Sequence, residues 1–214
     1  TLPHKAAAFA LADQHSVAAT RAGTANVLTR LADGRLAAHN TDGDGMVRDL
    51  AERHEVDLRG HDTLLLGAGG AARGVVWPLL DAGVRSLTIV NRSPAAADAL
   101  ADAIGEPTRV RTRYWDDLAT IGSFDLIINA TSAGVLGVAL QLPFALLGSR
   151  AVCYDLSYGK AAAGFLDWAR VAGARYACDG LGMLVETAAD AFVLWHGQRP
   201  DTEPVYRSLR RQTA

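Results

Sequence analysis

The spacing of hydrophobic positions changes near residue 60, where short apolar runs begin to alternate with stretches of helical period. The apolar runs predict strands near residues 63–66, 86–90, 109–113, 124–128 and 151–155. The helical stretches lie near residues 70–82, 94–104, 161–172 and 181–196. The run at 124–128 is nearly all apolar, as is typical of a strand buried on both faces of a parallel sheet. We therefore predict an α/β fold with a doubly wound parallel sheet.

The pattern before residue 60 predicts helices and one hairpin. Residues 5–20 have helical spacing, whereas the segments 26–31 and 35–38 flank Asp33-Gly34, which is a turn signal for a β-hairpin. A polar loop at 40–43 precedes a further helix that ends near residue 54. We interpret residues 56–61 as a polar connection and as the boundary between two domains.

The last long helix, near 181–196, carries apolar side chains at helical spacing. We expect most of this stripe to lie in the core, with the indole of Trp195 packed there as well. Its members are Leu184, Ala188, Ala191 and Trp195.

The segment 64–74 contains a glycine-rich turn between a predicted strand and a predicted helix. Gly67 permits a tight turn, and Gly69 and Gly70 let a phosphate group approach bare backbone. The helix that follows offers free N–H groups and the positive end of its dipole. With a second strand at 87–90, this context predicts a dinucleotide site, and the alternative is a glycine-rich turn without a ligand.

The end of that second strand indicates which dinucleotide binds. An NAD site usually has Asp or Glu here, which accepts hydrogen bonds from the ribose, whereas an NADP site supplies positive charge for the 2′-phosphate. This chain has Asn91-Arg92-Ser93 and no carboxylate. We therefore predict NADP, held by the guanidinium of Arg92, and the alternative is a solvated surface arginine.

Composition narrows the function classes. Half of the 214 residues are apolar, so a core can form, and a net charge of -2 provides no basic surface for nucleic acid. Cys153 and Cys178 lack metal or redox spacing and fit buried thiols in a reducing cytosol. We see no signal peptide and no apolar run long enough to span a membrane. These features predict a cytoplasmic protein that binds a small molecule, without a metal, nucleic acid or membrane.

Lys5 and Asp42 are the candidates for chemistry outside the cofactor motif. Lys5 lies at a predicted helix start, where the helix dipole disfavours a cation, and Asp42 lies on a tight loop. A lysine that faces an aspartate can hold a substrate hydroxyl and pass a proton during hydride transfer. A surface lysine and an Asx-type turn are the alternative without chemistry.

Motifs from Thr1 almost to the C-terminus resemble, in the same order, those of the shikimate dehydrogenase family in its bacterial biosynthetic form. The matching segments are Thr1-Leu2-Pro3-His4-Lys5, Asn40-Thr41-Asp42-Gly43, 67–71, Asn91-Arg92-Ser93, Asn129-Ala130-Thr131-Ser132-Ala133-Gly134, Tyr154-Asp155-Leu156-Ser157-Tyr158 and Asp179-Gly180-Leu181-Gly182-Met183-Leu184-Val185. The resemblance implies a Rossmann-type doubly wound sheet beside an N-terminal α/β substrate domain. It also implies NADP-dependent reduction of 3-dehydroshikimate to shikimate in aromatic amino-acid biosynthesis, by a monomer or homodimer.

The resemblance also implies a role for each site residue. Lys5 is the main acid/base and Asp42 its partner. The substrate-binding residues are Thr1, Lys5, Asn26, Asp42, Tyr158 and Thr187. The cofactor-binding residues are Gly67, Ala68, Gly69, Gly70, Ala71, Asn91, Arg92, Ser93, Thr131, Ser132, Leu156 and Gly180. Among these, Asn91 to Ser93 take the 2′-phosphate, and Leu156 and Gly180 flank the nicotinamide.

Three departures from the family pattern keep alternatives open. The family's second basic residue, shortly after the first arginine, is missing here, because Arg92-Ser93 is followed by Pro-Ala-Ala at positions 94–96. Thr187 stands where the family usually has glutamine. Around Asn26 the family's Gly-Ala-Val-Asn-Thr is replaced by Gly-Thr-Ala-Asn-Val. A paralogue that acts on quinate or another cyclic polyol acid is therefore one alternative.

The family also has an N-terminal strand–helix stretch with a serine pair for the substrate carboxylate, and we expect this chain to start after it. On that view, residues 1–58 are the C-terminal part of the substrate domain, 59–180 the NADP-binding domain and 181–214 C-terminal helices that pack back toward the substrate domain. A catalytically inactive NADP-binding fragment is the second alternative, and a regulator that binds the cofactor is a third.

Overall fold

The computed structural model describes residues 3–213. They form two compact units, which are described separately. The first unit contains the described residues up to Asp57, with Arg73–Ala82 and the residues from Leu181 onward. The second contains Leu58–Ala72 and Gly83–Gly180. Each unit is made of segments that are separate in the sequence. The division into domains at residues 58 and 180 that the sequence suggests stays a prediction.

Strands and helices alternate along most of the chain. The strands are β1 (Gln14–His15), β2 (Val27–Arg30), β3 (Leu36–His39), β4 (Asp62–Leu66), β5 (Ser86–Asn91), β6 (Val110–Tyr114), β7 (Phe124–Asn129), β8 (Leu147–Asp155) and β9 (Tyr176–Asp179). The α-helices are α1 (Lys5–Leu11), α2 (Val17–Ala22), α3 (Asp42–Arg48), α4 (Gly70–Asp81), α5 (Pro94–Ile104), α6 (Lys160–Val171), α7 (Leu181–His196) and α8 (Glu203–Thr213). A π-helical turn, Asp49–Arg53, extends α3.

The second unit is built on a six-stranded parallel sheet with the order β6-β5-β4-β7-β8-β9. The order reverses between β4 and β7, so the carboxyl ends of these central strands border the crevice where such folds bind ligands. Leu65 in β4 pairs with Ile89 and with Ile128, and all three side chains are fully buried. The α/β fold with a doubly wound sheet is thus confirmed. The sequence analysis missed β9, whose four residues are too short for a clear pattern.

The first unit contains a three-stranded sheet with the order β1-β3-β2. The predicted hairpin is present, because β2 and β3 are antiparallel and joined through Asp33-Gly34. The single helix expected at 5–20 is wrong. Its residues instead form α1, the short strand β1 and α2, because the hydroxyl of Ser16 accepts a hydrogen bond from the Ala19 N–H and starts a new helix.

The apolar stripe expected in the core along α7 is also a wrong prediction. Leu184 is 41% exposed and Trp195 is 54% exposed, and of the four positions only Ala191 is buried. The reason is that α3 and the π-helical turn after it pack on the other side of α7, where a Cβ on Gly182 would collide with the buried carboxylate of Asp49 in that turn. A helix with apolar residues on most faces does not reveal by its period which face is covered. Within residues 3–213, no helix is both long and apolar enough to cross a membrane.

Candidate active site

Lys5 and Asp42 form a buried ion pair in the first unit. Lys5 is the first residue of α1 and Asp42 the first residue of α3. Their side chains are 8% and 7% exposed, and Lys5 Nζ donates a hydrogen bond to Asp42 Oδ2. Lysine is rarely buried without a partner, so this pairing explains why a cation is accommodated at a helix start. The sequence analysis named these two residues, and the structure brings them together.

Asn26 binds the second oxygen of the Asp42 carboxylate, Oδ1. Its Nδ2 donates to Asp42 Oδ1 at 3.1 Å and to Thr41 Oγ1 at 2.9 Å, and its Oδ1 accepts the Thr41 N–H at 2.9 Å. One carboxylate oxygen therefore faces Lys5 and the other faces Asn26. This arrangement fixes the carboxylate on both sides and thereby fixes the amine of Lys5.

Asn40 also binds the segment that carries Asp42. It was not among the predicted site residues. Its Oδ1 accepts the Asp42 N–H at 3.1 Å, and its Nδ2 donates to the carbonyl and hydroxyl of Thr24 at 3.1 and 3.0 Å. The signal in the sequence is an asparagine two residues before the aspartate, which is typical of an Asx turn. Gly43, the residue after Asp42, must be glycine because a Cβ at that position would collide with Pro78.

Thr187, on α7, also reaches this loop. Thr187 Oγ1 donates to the Thr41 carbonyl at 3.3 Å, while Thr41 Oγ1 donates to the Thr187 carbonyl at 3.2 Å. The Thr187 hydroxyl also lies against α3, since a Cβ on Gly45 would come within 2.5 Å of its oxygen. The structure therefore places Thr187 next to the predicted catalytic loop.

Two predicted substrate residues are not part of this cluster. Thr1 lies outside the described residues. Tyr158 belongs to the second unit, where its side chain is 44% exposed. Within the first unit, the structure thus assembles Lys5, Asn26, Asp42 and Thr187 around one loop.

The glycine-rich turn lies in the second unit at the carboxyl end of β4. Gly67 has φ 112°, a left-handed conformation that favours glycine, and a Cβ there would come within 2.9 Å of the Ala130 carbonyl oxygen. The Gly67 N–H donates to the Val90 carbonyl at 2.7 Å. Gly69 is exposed, and nothing lies within 4 Å of where its Cβ would be. The turn therefore presents open backbone directly before the first residues of α4, as a diphosphate site requires.

The carboxyl end of β5 carries the predicted 2′-phosphate residues. Asn91 Nδ2 donates to the Ser93 carbonyl at 3.1 Å, which fixes the turn. Arg92 is exposed, and it forms no ion pair with any residue in the described part of the chain. An exposed guanidinium at this position fits the charge and geometry of a phosphate monoester.

The remaining cofactor residues follow the carboxyl ends of β7, β8 and β9. Thr131 and Ser132 come after β7, Leu156 directly after β8 and Gly180 directly after β9. The Gly180 N–H donates to the Ser157 carbonyl at 2.8 Å, and a Cβ on Gly180 would come within 2.5 Å of the Leu156 carbonyl oxygen. Glycine is therefore needed where these two loops meet.

Asn129 and Asp155 link these loops through a buried hydrogen bond, which sequence reasoning missed. The signal available was their equivalent positions, since each is the last residue of a neighbouring parallel strand. Burial raises the pKa of Asp155 to about 6, and nearby Asp179 adds to this shift, whereas the hydrogen bonds from Ser157 and Asn129 oppose it. Over residues 3–213, no group of three His, Cys, Asp or Glu side chains is arranged to hold a metal ion.

Comparison with known proteins identifies similar chains along this whole sequence. A family model described as shikimate/quinate 5-dehydrogenase matches residues 49–138, and another, described as the shikimate 5′-dehydrogenase C-terminal domain, matches residues 180–210. A protein of Xylella fastidiosa named shikimate dehydrogenase (NADP(+)) is 56% identical over 214 residues, which cover 99% of this chain and 76% of the relative.

Solved structures have the same fold. An Ael1 enzyme from Pseudomonas putida is 45% identical, with a TM-score of 0.89 over 98% of this chain and 76% of that chain. A Thermus thermophilus shikimate 5-dehydrogenase in complex with NADP(H) and shikimate is 31% identical, with a TM-score of 0.80 over 99% of this chain and 77% of that chain.

Proposed function

The chain belongs to the shikimate dehydrogenase family, and on this basis we propose that it reduces 3-dehydroshikimate to shikimate with NADPH. The observation that carries the proposal is the buried Lys5–Asp42 pair, with Asn26 on the second carboxylate oxygen. A ketone reduction needs a proton donor held in place beside the carbonyl oxygen, and this pair supplies a fixed ammonium group.

The chemistry of the reaction divides between the cofactor and the protein. When bound, NADPH supplies the hydride that adds to the carbonyl carbon. Lys5 holds the carbonyl oxygen and gives it the proton, so that a hydroxyl group forms and the amine of Lys5 then regains a proton from solvent. Asp42 orients Lys5 and supports it electrostatically. Asn26, Thr187, Tyr158 and Thr1 complete the substrate contacts in this proposal.

Three groups of residues bind the three parts of NADP in this proposal. Residues 67–71 admit the diphosphate to open backbone, because Gly69 and the start of α4 leave N–H groups free. Arg92, with Asn91 and Ser93, binds the 2′-phosphate. Thr131, Ser132, Leu156 and Gly180 border the nicotinamide half. An exposed Arg92 in place of a carboxylate supports NADP over NAD.

Quinate, or a related cyclic polyol acid, is the second candidate substrate. The observation in its favour is Thr187, whose hydroxyl bonds to the Thr41 carbonyl instead of projecting as a glutamine amide would. A shorter side chain leaves room at this position for a different ring substituent. A catalytically inactive protein that only binds NADP is the remaining alternative.

The test is a steady-state assay of NADPH oxidation with 3-dehydroshikimate, and of NADP reduction with shikimate or quinate. We expect turnover with 3-dehydroshikimate and shikimate, and a lower kcat/KM with quinate. A higher kcat/KM with quinate would favour the paralogue, whereas NADPH binding without turnover on any of these substrates would favour the inactive protein. We further propose that the protein acts in the cytoplasm, as a monomer or homodimer.

A further inference from the structure

The last residues of β7 and β8 form a polar pair inside an apolar sheet. Asn129 pairs with Asp155 in the register of the two strands, and the residues are 3% and 0% exposed. Asn129 Nδ2 donates to Asp155 Oδ2 at 2.7 Å. Two residues earlier on the same face of each strand lie Ile127 and Cys153, which are fully buried and not charged, so the polar pair is an exception in its surroundings.

Each member of the pair also holds the loop that follows its own strand. Asn129 Oδ1 accepts hydrogen bonds from the N–H and the hydroxyl of Thr131, at 3.1 and 2.8 Å. Asp155 Oδ1 accepts the Ser157 N–H at 2.7 Å. One continuous chain of hydrogen bonds thus runs from the loop after β7, through both side chains, to the loop after β8.

The backbone connects the same two loops a second time. The N–H of Leu156 donates to the carbonyl of Asn129 at 2.9 Å. The position of Leu156 relative to Thr131 is therefore fixed both by the strand ladder and by the side-chain pair. The side-chain pair adds a second tie to each turn, because it accepts the N–H groups of Thr131 and Ser157.

Stability alone does not account for a carboxylate at this position. No cationic side chain within residues 3–213 forms an ion pair with Asp155, and its register partner on the adjacent strand β9 is another acid, Asp179. Burying a carboxylate without a counter-charge costs free energy that apolar residues of similar size would not cost. What the carboxylate provides is geometry, since one oxygen accepts from Asn129 at the end of β7 and the other from Ser157 in the loop after β8.

We propose that Asn129 and Asp155 are positioning residues that hold the loops after β7 and β8 in the arrangement that receives the nicotinamide half of NADP. The inference rests on the cofactor site proposed above, in which Thr131, Ser132 and Leu156 border that half. The adenosine end of the cofactor is assigned to Asn91, Arg92 and Ser93, which follow a different strand. Loss of the pair therefore weakens binding of the whole dinucleotide and leaves binding of its adenosine end unchanged.

The donor and acceptor pattern allows a matched exchange of the two side chains. Asp155→Asn places a second amide beside Asn129, so one of its two hydrogen bonds is lost. Asn129→Asp places two carboxylates together. In the double variant Asn129→Asp/Asp155→Asn, the new aspartate accepts from Thr131 and from the new asparagine, whose carbonyl oxygen accepts from Ser157. Every hydrogen bond has a counterpart in the exchanged pair.

The experiment compares binding of NADPH and of adenosine 2′,5′-bisphosphate to the whole chain by calorimetry, with thermal unfolding of each variant as a check of folding. We expect Asp155→Asn to weaken NADPH binding by about tenfold or more, and to change binding of the bisphosphate by less than about twofold. The exchanged double variant regains NADPH affinity to within about threefold of the original chain. Asp155→Asn keeps the shape of the side chain, so it serves as the test even where Asn129→Asp does not fold.

Three results would overturn the inference. Parallel loss of both ligands would mean that the pair only stabilises the fold. Unchanged NADPH affinity in Asp155→Asn would mean that the loops do not depend on it. A double variant no better than the single ones would mean that the hydrogen-bond pattern is not what matters. Failure of the original chain to bind either ligand is distinct from these, because it would refute the NADP site itself and the inference with it.

Discussion

Thr187 and Thr41 exchange hydrogen bonds between α7 and the loop that carries Asp42. Each hydroxyl donates to the backbone carbonyl of the other residue, at 3.3 Å from Thr187 and 3.2 Å from Thr41. Through this exchange, α7 binds Thr41, the same residue that Asn26 binds. Thr187 therefore contacts the residue that precedes Asp42, whether or not it also touches the substrate.

Replacement of Thr187 by valine tests this relationship, because valine keeps the shape and removes the donor. We expect the KM for shikimate to rise by about two- to tenfold, as the loss of one neutral hydrogen bond of roughly 0.5–1.5 kcal/mol implies. Steady-state kinetics measure the effect, and Thr108→Val, at an exposed position in the second unit, is the matched control. Kinetic constants equal to those of the control would remove Thr187 from the site.

Arg92 is expected to select NADPH over NADH. Arg92→Ala removes a charged donor set from the 2′-phosphate, so it weakens NADPH binding by about 1.5–3 kcal/mol and leaves NADH binding nearly unchanged. Calorimetric titration with both cofactors measures the difference. Arg85→Ala is the control, because Arg85 pairs with Asp62 at the amino ends of the strands, away from the cofactor loops. Equal losses for both cofactors in Arg92→Ala would contradict the assignment.

Asp155 is expected to make the stability of the protein depend on pH between about 4 and 6. Burial raises the pKa of this carboxyl from 3.8 to about 6, so in that interval the folded protein binds more protons than the unfolded chain. Stability from this group is therefore present at low pH and is lost as pH rises through the folded value, by up to about 3 kcal/mol.

Urea unfolding at several pH values measures this dependence. The free energy of unfolding of the original chain should fall more steeply with rising pH than that of Asp155→Asn. Asp116→Asn, at an exposed position in the same unit, should follow the original chain. If the two proteins lost unfolding free energy with pH at the same rate, burial of the Asp155 carboxylate would not be the cause of the pH dependence.

The sequence was sufficient to predict the elements whose signals are local. The strand at 124–128 and the turn at Gly67 were predictable because a buried parallel strand and a tight phosphate turn each impose their own residue types. The hairpin at Asp33-Gly34 was predictable for the same reason. The break of the first helix at Ser16 was not, since a serine in an alanine-rich helical stretch signals a cap only when the preceding residues are extended.

Features that depend on contacts between distant segments were not predictable from the pattern. The covered face of α7 is decided by where Gly182 meets Asp49, and no period in the sequence of α7 contains that information. Lys5 and Asp42 were proposed as a pair from their chemistry, and the family resemblance assigned them the roles of acid/base and partner. That Asn26 occupies the second oxygen of Asp42 required the structure, because the pairing of β2 with β3 brings together residues that are distant in the sequence.

The most direct test of the account is the effect of Lys5→Ala on turnover and on cofactor binding. We predict that kcat for reduction of 3-dehydroshikimate falls by about 10²–10⁴-fold, because the proton donor is lost, while the Kd for NADPH stays nearly unchanged. Lys160→Ala, which removes an exposed lysine at the start of α6, is the matched control and should keep its turnover. Near-normal turnover in Lys5→Ala, or a loss no greater than that in Lys160→Ala, would contradict the assignment of Lys5 as the group that protonates the substrate.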